Sequence, residues 1–239
     1  MPFYGPSGGG AASLEDVLED SGENRCLLMW SDFTLDIAKV PTFKQFDFGC
    51  DKFVDSGGTM NQETANSGGL IYLNTSASSG GAAAIEHYEP SPGGPADYTK
   101  DPRIQFKCAF ETAQSALRCQ VGGFHDVRAP TEWDETNHDI ACFRSITTGN
   151  LFAVTGDGSS ETTTDLGSVH TLGDDAVFEV ISSGNGGTWT FKINGTTRAT
   201  HTSNLPNARM KCAVGLSNNT TTLLRINNLD YIWATQDRD

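Results

Sequence analysis

The last third of the chain alternates apolar and polar residues in three consecutive runs. Residues 177–181, 188–193 and 196–200 each show the two-residue period of a half-buried strand. A glycine-rich turn at 184–187 separates the first two runs, and Asn194-Gly195 separates the last two. Asn-Gly between alternating runs is a strong hairpin signal, because a type I′ turn needs positive φ at both central residues. The pattern predicts an antiparallel meander.

Shorter runs of the same kind occur along the rest of the chain. They cover residues 26–30, 69–74, 82–88, 104–110, 116–122, 139–144, 150–155, 211–216 and 222–235. We expect 104–110 to pair with 116–122, and 139–144 to form a hairpin with 150–155. The stretch from about 30 to 60 is expected to be irregular. About a dozen short strands with regular turn signals predict an all-β sandwich.

The length and composition of the chain indicate its domain organisation. The chain has 239 residues, of which 26 are glycine, and no proline-rich or charged linker divides its middle. A single sandwich of this length is ordinary. We therefore expect one domain over residues 23–239, preceded by an N-terminal arm over residues 1–22.

The arm combines a glycine-rich start with an acidic segment at 15–23. A frayed tail is the simple interpretation of such a composition. Ordering a glycine-rich segment costs about 1–2 kcal/mol per residue in backbone entropy, so an ordered arm needs a surface to hold it. We expect a neighbouring subunit to supply that surface, with Phe3 and Tyr4 as contact residues.

The net charge of −14 limits the partners. Phosphate backbones and anionic lipids repel such a chain, so we expect neither nucleic acid nor membrane as a partner. A soluble, self-repelling surface is one interpretation and a high-salt environment the other. The N-terminus has neither the basic nor the apolar region of a secretory signal. We therefore expect synthesis in a host cytoplasm.

The six cysteines show neither a Cys-x-x-Cys spacing nor a neighbouring histidine pattern, which disfavours zinc. Cys108, Cys142 and Cys212 lie within apolar runs, and we expect them to be small core residues. Disulfides stay open as an alternative for a protein that later meets an oxidising exterior.

Motifs in the second half follow a characteristic order. They are residues 139–144, 149–158, the aromatic hairpin 189–195, the segment 200–206 with Thr202-Ser203-Asn204-Leu205-Pro206, and the closing Leu229-Asp230-Tyr231-Ile232-Trp233. In this order they resemble the concanavalin A-like jelly roll of phage and virus structural proteins. The first half is compatible with that fold but not distinctive.

The resemblance implies three classes of function. Domains of this family serve as lectins, as laminarinase-type glycoside hydrolases and as virion proteins. We expect a capsid decoration protein that attaches to the major capsid protein or other virion subunits through its arm. We expect symmetric homo-oligomers, with a trimer as one arrangement. A tail appendage or a module that binds host glycans is the alternative.

A hydrolase of the laminarinase type needs several carboxylates on one face of one strand, spaced Glu-x-Asp-x-Glu or Glu-x-Asp-x-x-Glu. Two carboxyl groups about 5–5.5 Å apart then act on the same glycosidic bond. Glu132 and Asp134 match the first two positions, but Thr136 and Asn137 replace the third. No Gly-x-Ser-x-Gly elbow is present either. We therefore expect no catalytic residue and no enzyme.

The remaining polar groups suggest no cofactor and no metal. We expect the five histidines, His87, His125, His138, His170 and His201, to lie in loops or at the surface. The dipeptides His125-Asp126 and His138-Asp139 are the alternative, as contributors to a metal site. The turns around Asp157 and Asp174 could bind calcium, although Asp in a turn more often satisfies backbone groups.

The four tryptophans differ in their surroundings. Trp189 and Trp233 lie in alternating strands, which predicts core packing, whereas Trp133 lies in a polar loop. An exposed tryptophan offers both an apolar ring and an N–H donor to a partner. Trp133 is therefore the expected contact residue for a glycan or a partner protein.

Overall fold

The computed structural model describes residues 25–31, 50–55, 58–62, 70–75, 80–87, 94–110, 117–126, 137–146, 150–218 and 225–238. These residues form the following strands: β1 (Arg25–Ser31), β2 (Cys50–Asp55), β3 (Thr59–Gln62), β4 (Ile71–Asn74), β5 (Ala82–His87), β6 (Arg103–Ala109), β7 (Leu117–His125), β8 (Asp139–Ser145), β9 (Leu151–Asp157), β10 (Glu161–Asp165), β11 (Ala176–Ser183), β12 (Thr188–Ile193), β13 (Thr196–His201), β14 (Lys211–Asn218) and β15 (Arg225–Asp237). A single-turn 3-10 helix covers Tyr98–Lys100.

The strands form two antiparallel sheets. Sheet A has the order β13-β12-β11-β6-β15-β4-β3, with β1 also paired to β15. Sheet B has the order β10-β9-β8-β7-β14-β5-β2. Consecutive strands along the chain often lie in different sheets, as in a jelly roll. The predicted all-β jelly-roll sandwich is therefore confirmed.

The main core lies between the two sheets and is rich in phenylalanine. The Phe106 ring stacks on Phe178 with centroids 5.3 Å apart, and Phe143 of sheet B meets Phe178 edge-on at 5.1 Å. All three side chains are fully buried. Burying one such side chain stabilises the fold by about 1.5–3 kcal/mol, so these rings are a major link between the sheets.

The predicted meander is confirmed as β11, β12 and β13, which pair antiparallel in sequence order. Asn194 has φ 50° and Gly195 has φ 75°, as the Asn-Gly hairpin signal required. The hairpin expected between residues 139–144 and 150–155 is also confirmed, as β8 paired with β9.

One predicted pairing is wrong. Residues 104–110 and 116–122 do not pair, because β6 lies in sheet A between β11 and β15, whereas β7 lies in sheet B between β14 and β8. Alternation shows that a run has a buried face, but it does not show which sheet contains the run. Proximity in sequence favoured the wrong partner.

The stretch from about 30 to 60, expected to be irregular, contains β2, and β3 begins at its end. Both are edge strands of their sheets, and so is β10, whose sequence Glu-Thr-Thr-Thr-Asp was not predicted as a strand. An edge strand is held by backbone hydrogen bonds to a single neighbour. Such a strand therefore needs little of the apolar alternation on which the prediction relied.

The predicted arm, residues 1–22, lies outside the described residues, so its role stays a prediction. Cys108, Cys142 and Cys212 are buried free thiols, as expected. Burial raises the pKa of all three, to about 12 for Cys142, so these thiols are protonated at neutral pH. None of the described elements is a helix of the length and apolar character needed to cross a bilayer.

Candidate functional site

Sheet B has an outer face, turned away from the main core, that carries a second apolar cluster. Alternation puts Val121, Arg144 and Phe152 side by side on this face, and Gly123, Cys142 and Val154 in the next row. The cluster consists of Ala84, Cys119, Val121, Ile140, Cys142, Val154 and Ala213. Each of these side chains is buried. The centre of the outer face of sheet B is therefore largely apolar.

A buried ion pair lies beside this cluster. Arg144 on β8 donates from Nη1 and Nη2 to the two carboxylate oxygens of Glu161 on β10, at 2.8 and 2.6 Å. Both side chains are only 8% exposed. Burial opposes the charge on Arg144, but the hydrogen bonds that it donates to Glu161 outweigh this effect and raise the pKa of the guanidinium. The signal in the sequence was an arginine inside an apolar strand, because a buried charge needs a partner.

The central strands of this face offer no carboxylate for hydrolysis. Among the described residues, the outer-face positions of β7, β8 and β14 contain no Asp or Glu. No described strand has carboxylates at positions i and i+2, the spacing that would set two of them on one face. Glu132 and Asp134 lie outside the described residues.

A histidine–aspartate cluster lies at one end of sheet B. Asp126 follows β7 and His138 precedes β8. The Nδ1 atoms of His125 and His138 lie 3.4 and 3.2 Å from the same Asp126 oxygen. The two imidazole rings are 5.5 Å apart. The cluster thereby joins the end of β7 to the start of β8.

Burial and hydrogen bonding set the charge states of His125 and Asp126. Burial lowers the pKa of His125 to about 4, so the ring is neutral at pH 7. Burial alone would raise the pKa of Asp126, but hydrogen bonds from His125 and from the Asp139 backbone, with the charges of the two histidines, hold it below the usual value. Asp126 is thus a carboxylate that lies beside two imidazoles. An Asp–His pair can orient a general base, but His125 is buried and leaves no surface for a substrate.

The neighbouring carboxylates Asp139 and Asp157 are directly opposite in the β8–β9 register. Burial raises the pKa of Asp139, and the nearby charges of Asp126 and Asp157 act in the same direction. Asp139 Oδ1 nevertheless accepts from the backbone N–H groups of Asn207 and Ala208, at 2.5 and 3.2 Å. Its role in the structure is therefore to hold the loop that precedes β14.

The expectation that all histidines lie in loops or at the surface is wrong for His125 and His201, which are buried on strands. His201 Nδ1 lies 3.0 Å from the Thr155 hydroxyl, and its Nε2 lies 3.0 Å from the Thr164 hydroxyl. These contacts join the edge strand β13 of sheet A to β9 and β10 of sheet B. The histidine is buried because two hydroxyls satisfy its ring nitrogens.

The proposed metal ligands do not assemble into a metal site within the described residues, where no group of three suitable side chains occurs. Asp157 Oδ1 instead accepts from the backbone N–H groups of Ser159 and Ser160, at 2.9 and 2.8 Å. This is the turn-stabilising role that the sequence suggested as the alternative to calcium.

The two tryptophans whose side chains the structure describes, Trp189 and Trp233, are buried on opposite faces of sheet A. Trp189 packs in the main core against Phe124, as predicted. Trp233 is buried, but on the outer face of sheet A, where the guanidinium carbon of Arg103 lies 5.1 Å from its ring centre. The prediction of core packing is therefore right about the burial of Trp233 but wrong about its place, because the ring lies outside the main core. The predicted contact residues Trp133, Phe3 and Tyr4 lie outside the described residues.

Comparison with known proteins shows a likeness of fold. No protein-family model and no curated protein matches the chain. Among solved structures, a protein of unknown function from Shewanella oneidensis MR-1 is 10% identical, with a TM-score of 0.60 over 96% of each chain.

Two further solved structures have enzymatic names. The β-glucanase of Bacillus licheniformis is 11% identical, with a TM-score of 0.53 over 81% of this chain and 95% of its own. A carbohydrate esterase from the Shiga toxin-encoding bacteriophage phi24B is 16% identical, with a TM-score of 0.51 over 79% of this chain and 90% of its own. At these identities the likeness establishes the jelly-roll sandwich and leaves function to the residues of the site.

Proposed function

We propose that the chain is a non-enzymatic structural protein of a virus particle, attached to the major capsid protein as a decoration protein. The observation that carries the non-enzymatic part is the outer face of sheet B. Its three central strands present small apolar groups there and no carboxylate among the described residues.

Two carboxylates on or beside this face are already engaged. Glu161 is bound by both terminal nitrogens of Arg144, and Asp139 accepts two backbone hydrogen bonds. A retaining glycosidase needs one carboxylate free to attack and a second free to donate a proton. An ion-paired carboxylate is a poor proton donor, because the cation beside it favours the ionised form. This arrangement favours a scaffold over a catalyst.

Attachment is supported by the charge and by the sequence resemblance to virion proteins. A surface with a net charge of −14 repels packaged nucleic acid, so the outside of a shell suits it better than the inside. The arm at residues 1–22 contains two aromatic residues near its start, Phe3 and Tyr4. Aromatic anchors of this kind dominate the binding energy of many interfaces.

The first prediction concerns attachment. Purified particles should contain the protein at a copy number comparable to that of the capsid subunits, measured by quantitative mass spectrometry. The full chain with Phe3→Ala and Tyr4→Ala should bind stripped particles at least about tenfold more weakly, because each lost aromatic anchor removes on the order of 1–2 kcal/mol.

The control for this experiment is a chain with Val169→Ala, which changes an exposed apolar residue of the sandwich. It should bind particles like the unmodified chain. Undiminished binding of the Phe3/Tyr4 variant would contradict the role of the arm. A copy number of only a few per particle would place the protein on the tail instead.

The second prediction concerns catalysis. The purified chain should release no reducing sugar from soluble β-1,3- or β-1,4-glucan above the rate of buffer alone, because the outer-face positions of the central strands β7, β8 and β14 contain no carboxylate. A chain with Glu132→Gln serves as the comparison. Cleavage that disappears in this variant would identify a glycosidase and overturn the proposal.

A further inference from the structure

Sheet A and sheet B end on the same side of the sandwich in the edge strands β13 and β10, which differ in regularity. The register between β12 and β13 shifts between Phe191 and Lys192, which leaves Arg198 as an extra residue in β13. Bulges and charged side chains protect an edge from further pairing. The register between β9 and β10 has no such shift along the five residues of β10. The edge of β10 therefore keeps the regular geometry that another strand needs.

Hydrogen bonds at the two ends of the β9–β10 ladder show which backbone groups of β10 are free. Leu166 donates its N–H to the Leu151 carbonyl at 2.8 Å, and Asp157 donates to the Ser160 carbonyl at 3.2 Å. Both bonds follow the register of β10 on β9. Hydrogen-bonded pairs alternate with pairs that are not hydrogen-bonded in an antiparallel ladder, so the odd-numbered residues of β10 direct their N–H and C=O groups away from β9. These residues are Glu161, Thr163 and Asp165.

This free edge is accessible. Thr163 and Asp165 are exposed. The segment that follows β13 contacts side chains of β10, since the Thr162 hydroxyl donates to the Ser203 carbonyl at 3.0 Å and the Thr164 hydroxyl contacts β13 itself. Within the described part of the chain, no backbone group bonds to the outward N–H and C=O groups. An extended segment can therefore add to sheet B as a further strand.

The charges along the edge favour a basic segment. The carboxylate of Glu161 is already paired with Arg144. The carboxylate of Asp165 accepts only from neutral donors, which are Asn150 Nδ2 at 2.7 Å and the Gly167 N–H at 2.8 Å. It forms no ion pair with a described residue, so its negative charge is not compensated there. A cation opposite Asp165 would stabilise the added strand.

Two other occupants of the edge fit less well. A second copy, paired antiparallel about Thr163, would place Asp165 opposite Glu161 of that copy. Like charges directly opposite destabilise a pair of strands, and each copy has a net charge of −14. The arm of a neighbouring copy has no Lys or Arg in residues 1–22. Charge therefore favours a segment of a different protein.

We propose that the free edge of β10 binds an extended segment of another protein, with a Lys or Arg opposite Asp165. The segment adds one strand to sheet B through hydrogen bonds to the outward backbone groups, and its basic side chain supplies selectivity. This goes beyond the proposed function and does not depend on it. The edge lies outside the arm, and the interaction requires no particle.

The test uses the full chain and end-capped peptides of about seven residues, the length of an ordinary strand. Lysine alternates with threonine in the first peptide, and glutamate replaces lysine in the second. Binding is measured by NMR titration of the backbone amides. We expect the lysine peptide to bind at least about tenfold more tightly than the glutamate peptide. At saturation, hydrogen exchange at the N–H groups of Thr163 and Asp165 should slow by at least about tenfold.

Two controls separate strand addition from simple attraction between charges. A lysine peptide that is N-methylated at two adjacent central residues keeps its charge but has a blocked donor on each edge, so it should bind at least about tenfold more weakly. In the chain, Thr163→Pro removes an outward N–H without removing a bond to β9, and it should weaken binding to a similar extent. Thr163→Ala is the matched variant. It keeps the N–H and should bind like the unmodified chain.

No binding of the lysine peptide, or equal binding of its glutamate or N-methylated counterpart, would overturn the proposal. So would equal affinity of the Thr163→Pro and Thr163→Ala chains. Dimerisation of the free chain that Thr163→Pro abolishes would assign the edge to a second copy instead. The N-methylated peptide is tested on the unmodified chain, so its result does not depend on the folding of the proline variant. None of these results bears on attachment through Phe3 and Tyr4.

Discussion

His125 shows how burial changes a single side chain and, through it, the response of the fold to acid. Its pKa is about 6.5 in an unfolded chain and about 4 in the folded protein. Between these pH values the unfolded chain binds the extra proton, so acid favours unfolding. This contribution to stability is fully present above about pH 6.5 and is lost as the pH falls towards 4, a change of about 3 kcal/mol.

The third prediction concerns the contribution of His125 to the pH dependence of stability. Between about pH 7.5 and about pH 5, the free energy of unfolding measured in urea should fall by about 2 kcal/mol more in the unmodified chain than in a His125→Gln chain. Glutamine cannot bind a proton in this pH range, while all other titrating groups are shared by the two chains. Equal losses in the two chains would show that His125 is not buried in the neutral form.

The Arg144–Glu161 pair illustrates a different limit of residue-level inference. Arg144 inside an apolar strand shows that a partner is required, but Glu161 lies on an edge strand whose sequence gives almost no strand signal. The sequence therefore showed that Arg144 needs a partner, but it did not identify Glu161 as that partner. The same holds for His201, whose two threonine partners lie on strands of the opposite sheet.

At the scale of elements, two glycines are required for different reasons. Gly195 has φ 75° in a hairpin turn, and a Cβ there would meet nothing within 4 Å. Gly122 lies within β7, where a Cβ would come within 2.2 Å of Phe106 Cζ. The first glycine serves backbone conformation, and the second makes room for a ring of the opposite sheet.

The fourth prediction compares these positions. Gly122→Ala should lower the free energy of unfolding by about 1–3 kcal/mol or more, because the Phe106 ring is packed against Phe110, Phe143 and Phe178 and cannot move aside. Gly195→Ala should cost about 1–2 kcal/mol through left-handed strain alone. Both are measured by chemical denaturation.

A second variant separates the two causes. In a Phe106→Leu background the ring is gone, so Gly122→Ala should cost less than in the unmodified chain, whereas the cost of Gly195→Ala should not change. If Gly122→Ala costs the same in both backgrounds, steric conflict with Phe106 is not its cause.

The strands were predictable to the extent that each one buries a face. The meander β11–β13 and the hairpin β8–β9 were predicted because alternation and local turns suffice for neighbours in sequence. The edge strands β2, β3 and β10 were missed because a single backbone partner imposes little on their side chains. The incorrect β6–β7 pairing arose because the choice of sheet depends on residues far away in sequence.

At the scale of the whole molecule, side-chain hydrogen bonds close one open side of the sandwich. His201 bridges to Thr155 and Thr164, and the Thr162 hydroxyl donates to the Ser203 carbonyl at 3.0 Å. These bonds join the edge regions of sheet A and sheet B directly. An assembly partner would therefore meet a closed sandwich on this side.

Charge also acts at this scale. A net charge of −14 raises the electrostatic cost of bringing two copies together at low ionic strength. Attachment through a short aromatic segment would concentrate the contact in a few apolar side chains. The acidic surface could then stay in solvent.

The amino-acid sequence by itself determined the class of the fold, the hairpins between neighbouring strands and the absence of a complete carboxylate motif, because each depends on residues close together along the chain. The tertiary structure decided which sheet each strand joined, which histidines are buried and which carboxylate pairs with Arg144. Those features depend on packing between segments that are distant in sequence, and a local sequence pattern does not show which distant segments come into contact.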